Sequence, residues 1–204
     1  MTPRRIAGML PFVLLAFLLS CNGSDENPGT SYGPFDATLL KIAQTYQTNY
    51  FPVNVKPHLS PVDCQLPPPS LHLSASADPE THGRKLYHLF VKQHENGSYM
   101  PEKKDSPVGQ ALVKEAWEPE EAEDEGDLFD YRVRMNGRSY RAGRKAGLFI
   151  MYKMEPTTPD TDNGWVYGTL AVDGTKVTSA GRVEACMKCH LKAPYDRLFG
   201  PPKE

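Results

Sequence analysis

Cys186, Cys189 and His190 stand in the spacing C-x-x-C-H close to the C-terminal end of a 204-residue chain. Two thiols at that spacing can add to the two vinyl groups of one haem and tether it through thioethers. The imidazole that follows is then held as the proximal axial ligand of the iron. Only one such stretch occurs, so the chemistry it predicts is one covalently bound haem c.

A C-x-x-C pair also suits a zinc site or a redox dithiol. Zinc would need a second pair of ligands, and no other Cys-x-x-Cys or His-x-x-x-His cluster exists in the chain. A thioredoxin-like dithiol would follow a strand and open a helix within a β-α-β pattern, which the surrounding residues do not show.

The compartment follows from the N-terminus. Arg4 and Arg5 precede an almost continuous apolar run from Ile6 to Leu19. That run is short for a membrane span and reads as an export signal over residues 1–20. Leu18-Leu19-Ser20-Cys21 resembles a bacterial lipobox, so Cys21 is expected to be the acylated first residue of a lipoprotein. Residues 21–35, rich in Gly, Ser, Asn and Asp, suit a flexible tether. Haem attachment also takes place outside the cytoplasmic membrane, so the expected location is the periplasmic side of a bacterial membrane. Cys64 is left without an intrachain partner and is expected to be buried as a small hydrophobe.

These groups need elements to position them. The mature length suits one domain with a single core. A net charge of -2 gives no argument for nucleic acid. Asp36 can cap a helix in which Leu39, Leu40, Ala43 and Tyr46 recur at helical spacing. Pro52, Pro57, Pro61 and Pro67-Pro68-Pro69 then forbid regular structure until about His72. Residues 36–74 are therefore read as a helix plus a Pro-rich extended segment, and residues 75–204 as the haem-binding domain. Strands are expected at 85–92, 108–117, 147–154, 165–172 and 176–179, with Asp173-Gly174 as a turn. They follow one another with no helical pattern long enough for a parallel crossover, so the sheet is expected to be antiparallel. Residues 182–191 form a short helix carrying the haem motif, ended by Pro194. The class is α+β, an antiparallel sheet flanked by a few helices. The acidic run at 118–127 and the basic residues of 132–145 are read as solvated loops that can pair with each other.

In order along the chain stand His82-Gly83-Arg84-Lys85-Leu86-Tyr87, Pro107-Val108-Gly109 and Val113-Lys114-Glu115. Met151-Tyr152-Lys153, Gly164-Trp165, Cys186-x-x-Cys189-His190 and Asp196-x-x-Phe199 follow. This series, spanning residues 82–199, resembles the cytochrome P-460 family, which includes the cytochromes c′-beta. The resemblance implies a homodimer, a five-coordinate haem with His190 as proximal ligand, and an open distal side. In hydroxylamine-oxidising members a lysine of the V-K-E segment bonds the macrocycle, and the resemblance carries that role to Lys114. On a strand, Lys114 shares a face with Leu112 and Ala116.

Glu115, Glu155 and Glu184 are candidate distal carboxylates, and His82, His88 and His94 candidate sixth ligands. Phe90, Phe149, Trp165 and Tyr167 are candidate pocket walls. The expected function is an exported, membrane-tethered mono-haem cytochrome that binds or oxidises hydroxylamine or nitric oxide and passes electrons to a redox partner protein. Two alternatives stand beside it: a binding module for a diatomic gas, without catalysis, and an electron carrier with both axial positions filled.

Overall fold

The computed structural model describes residues 33–53, 70–74, 82–92, 105–123 and 132–200. Cys21, Cys64, His94 and the export signal lie outside them. Helix α1 (Asp36–Asn49) comes first, followed by β1 (Phe51–Pro52), β2 (His72–Leu73), β3 (Leu86–Val91) and β4 (Ala111–Ala122). Then come β5 (Val133–Met135), β6 (Arg138–Lys153), β7 (Trp165–Leu170), β8 (Val177–Gly181) and helix α2 (Glu184–His190). All pairings are antiparallel, in the order β1-β3-β4-β6-β7-β8, with β2 also on β3 and β5 on β6. The expected α+β class, an antiparallel sheet with a few helices, holds.

Alternation along each strand sorts the core into two layers. One face carries Phe90, Val113, Leu148, Ile150, Val166 and Leu170, packed under Phe35, Leu39, Ile42 and Tyr46 of α1 and its approach. The other carries Tyr87, Leu89, Leu112, Met151, Trp165 and Tyr167, packed against Met187 and Leu198 of the C-terminal segment. The sheet is a partition, with α1 behind it and the cysteine-bearing helix in front. Contact with α1 is close at Gly168, where a Cβ would fall 2.6 Å from one methyl of Leu39 and 2.7 Å from the other.

Several expected elements differ in detail. Asp36 is not the N-cap: Phe35 takes that place, and the Asp36 carboxylate accepts the Gly33 N–H at 3.1 Å from inside the first turn. There it still favours the positive end of the helix dipole. The strand expected at 108–117 begins at Ala111, because Pro107 to Gln110 form a turn. It then runs on to Ala122 through part of the acidic run. The basic residues after Gly137 likewise lie in a strand, β6, and not in a loop. Glu120 stands opposite Arg141 and bonds it at 2.9 Å, while Glu121 bonds Arg138 at 3.1 Å. The pairing of the two runs is thus as expected, but on a hairpin arm. The Asn136-Gly137 dipeptide, both residues at positive φ, is the turn signal that marks β5 and β6 as a hairpin.

Candidate haem site

Helix α2 opens at Glu184 after an extended Val183 and runs only to His190. Cys186 and Cys189 are three residues apart, hence neighbours on its surface. Neither is in a disulfide. Met187 and His190 are the buried residues of the helix, so it is anchored by the same turn that holds the thiols.

His190 is enclosed by three rings. Tyr167 and Phe199 each have their centroid 5.4 Å away and His82 has its own at 6.4 Å. Its Nδ1 lies 2.7 Å from the carbonyl oxygen of Arg197. A carbonyl can only accept, so Nδ1 carries the proton and Nε2 keeps its lone pair. Burial lowers the imidazole pKa to about 4, and nearby Lys114 adds to that against the Arg197 bond. At neutral pH the ring is therefore an uncharged donor, the form that binds iron.

Lys114 sits mid-strand on β4, opposite Leu89 of β3 and Phe149 of β6. Its stem lies on the face of Leu112, as the alternation of the strand requires. Nζ stands 4.6 Å from the centroid of the Tyr87 ring, a cation–π distance. Burial lowers its pKa to about 8, while the charge of Cys189 pulls in the opposite direction. His82, edge-on to Phe149 at 5.4 Å and with Nδ1 2.8 Å from Ser74 Oγ, completes this corner. Burial, Lys114 and His190 together push its pKa down to about 2.

The fold thus brings Cys186, Cys189, His190, Lys114 and His82 to one face of the sheet. Phe149, Trp165 and Tyr167 lie on that face too. Phe90 does not; it faces α1, edge-on to Tyr46 at 5.0 Å. Glu115 and Glu184 are engaged elsewhere. Glu115 points to the α1 side, taking the Tyr46 hydroxyl at 2.9 Å and Lys145 Nζ at 2.7 Å. Glu155 is exposed in the loop after β6, and Glu184 pairs with Lys188 at 3.0 Å on the outside of α2. His88 donates to the Ser70 carbonyl and packs on Trp117, away from His190.

Asp162, Arg197 and the pair Lys153–Asp196 were given no role from sequence. Arg197 donates to Asp162 from Nε at 2.8 Å and from Nη2 at 2.9 Å, and Asp162 also takes the Tyr167 hydroxyl at 2.9 Å. Lys153 Nζ meets Asp196 at 3.0 Å with both side chains buried. The only advance signal was that Lys153 and Asp196 stand in segments that carry the resemblance noted in the sequence.

This donor set suits a covalently held haem. Two thiols one turn apart adjoin an imidazole of fixed tautomer, over a wall made by Leu89, Leu112, Met151 and Tyr167. A family model described as Cytochrome P460 matches residues 70–199. The chain belongs to that family, one of c-type haem proteins that bind nitrogen compounds. No curated protein matches it.

Proposed function

We propose that this chain is an exported, lipid-anchored cytochrome with one haem c, bound through Cys186 and Cys189 and ligated by His190. Its other axial face is open and takes hydroxylamine or nitric oxide, and a redox partner protein collects the electrons. Export over residues 1–20 and acylation at Cys21 place it on the periplasmic side of a bacterial membrane. The observation that carries the reading is the geometry of His190. Beside both thiols, its protonated Nδ1 is held by a backbone carbonyl, which frees Nε2 for iron.

The haem, when bound, supplies an iron that takes the ligand nitrogen and withdraws its electrons. The rest falls to the chain. The Nδ1–H bond makes Nε2 a stronger donor, and the three rings around His190 keep water from that bond. Lys114 is the residue for an additional link to the macrocycle, with Tyr87 steadying its amine beside Cys189. Such an Nζ–carbon bond to a bound macrocycle would replace a C–H and an N–H, and would need an external two-electron oxidant to take up the two electrons as two protons leave.

One observation favours the second reading, a gas-binding module. Glu115 is held by Tyr46 and Lys145 on the α1 side and Glu184 by Lys188 on the outside of α2, so neither of these two serves as the base that hydroxylamine oxidation needs. Ferric and ferrous absorption spectra with and without carbon monoxide test the open face. A six-coordinate, low-spin spectrum insensitive to carbon monoxide would refute it. Reduction of an added acceptor by hydroxylamine then separates enzyme from binding module.

A further inference from the structure

We propose that two facing reverse turns form a clamp that sets the proximal hydrogen bond of His190, with Asp162 and Asp196 as its positioning residues. This rests on the reading of His190 as the iron ligand.

The first turn spans residues 162–165. Asp162 N–H donates to the Trp165 carbonyl and Trp165 N–H to the Asp162 carbonyl, both at 2.9 Å. Its central residues, Asn163 and Gly164, have φ of 50° and 83°. The second spans residues 195–198, closed by Leu198 N–H to the Tyr195 carbonyl at 2.8 Å and the reciprocal bond at 3.2 Å. Its central residues, Asp196 and Arg197, have φ of 43° and 71°. Positive φ at both central positions is the requirement of a type I′ turn, and Asn-Gly meets it unaided. Asp-Arg does not. An arginine in the left-handed region is held there by its surroundings.

Those surroundings are the first turn and the strand that leads to it. Arg197 grips Asp162 with two parallel bonds, a fork geometry that fixes the guanidinium plane. Asp196 takes Lys153 Nζ and the Ser106 N–H, the latter at 2.8 Å. Lys153 Nζ also donates to the Asn163 carbonyl at 2.8 Å, back on the first turn, and lies 5.3 Å from the Trp165 ring centroid. The two turns are therefore tied directly by one charge pair, Arg197–Asp162, and through Lys153 at the end of β6 by a second of opposite sense, Lys153–Asp196. The peptide so immobilised presents the Arg197 carbonyl to His190 Nδ1. Relaxation of Arg197 to negative φ would turn that carbonyl away, and the imidazole would lose its acceptor.

A strong Nδ1–H bond raises the basicity of Nε2, which strengthens the iron–histidine bond and favours ferric iron. The test compares holoproteins of wild type, Asp162→Asn and Asp196→Asn, with Glu121→Gln on the hairpin arm as control. The readouts are the iron–histidine stretching band in resonance Raman spectra and the ferric/ferrous midpoint potential. Both asparagine variants are expected to shift the band to lower frequency and the potential upward, and the control to shift neither. Arg197→Lys, which keeps the charge and one bond to Asp162, is expected to fall between, and it decides the matter if the asparagine variants do not accumulate. Haem attached in every variant, with band and potential unmoved, would overturn the clamp. A wild-type protein with no covalent haem would instead sink the reading it rests on.

Discussion

Lys114 and Glu115 are neighbours in the chain and part company in space. Strand alternation sends Lys114 to the Tyr87 and Cys189 side and Glu115 to the α1 side. The V-K-E segment therefore serves two layers, with the lysine for the site and the glutamate for the helix that backs it. Lys114→Met fills a similar volume without an amine. It is expected to leave haem on the Cys186–Cys189 peptide, and proteolytic mapping should find no haem-linked peptide from β4. A β4 peptide still joined to haem in that variant would assign the link to another residue. Glu115 is tested through its partner. Tyr46→Phe removes a buried hydroxyl donor and leaves Glu115 with Lys145, at a cost of about 1–2 kcal/mol. The burial and charge that push the Tyr46 phenol pKa upward show how firmly its proton is held. Urea unfolding measures the loss, and an unchanged midpoint would mean that this bond adds nothing to the attachment of α1.

At the scale of elements, α1 lies against β7 where a glycine leaves room. Gly168→Ala would place a methyl inside the contact distance of both Leu39 methyls and is expected to cost about 1–3 kcal/mol through overpacking. Leu39→Ala in the same chain should recover part of that cost, because the two changes share one contact. Additive losses in the double variant would show that the helix does not bear on Gly168. The strands that form this sheet were largely legible, since Leu86–Val91 and Trp165–Leu170 carry dense apolar and aromatic runs. The arm formed by the outer ends of β4 and β6 was not. Its charged residues read as solvated loops because their stabilisation is cross-strand, and pairing partners more than fifteen residues apart leave no local pattern. Of the site, the C-x-x-C-H residues and the facing of Lys114 could be read directly. The Arg197–Asp162 and Lys153–Asp196 pairs could not, because they join the C-terminal segment to residues 35 and 43 positions earlier.

For the whole molecule, the two charge pairs that join the C-terminal segment to the sheet make the fold sensitive to acid. Burial alone would raise the pKa of Asp162 and Asp196, but bonds to Arg197 and Tyr167 in one case, and to Ser106 and Lys153 in the other, outweigh it. Both carboxyls therefore titrate below their ordinary value in the folded chain. Such groups hold fewer protons folded than unfolded, so each contributes stability that is fully present above the unfolded value, about 3.9. That contribution is lost as pH falls through the lower folded value. Buried His72 and His82 are also depressed, mainly by desolvation. They add a loss of the same sign that begins higher, once pH drops below about 6.5, where imidazoles of the unfolded chain charge. Stability is thus expected to decline in two stages on acidification, first through the imidazoles and then through the carboxylates. Asp196→Asn separates the stages. At neutral pH it strands a buried ammonium and costs about 3–5 kcal/mol. Having no carboxyl to protonate at that position, it should also show a shallower decline below about pH 4.5. Urea midpoints of holoprotein from neutral to acid pH measure both effects. An acid limb as steep as that of the wild type would mean that Asp196 does not titrate with unfolding, and would leave the Arg197–Asp162 pair as the acid-sensitive tie of the C-terminal segment.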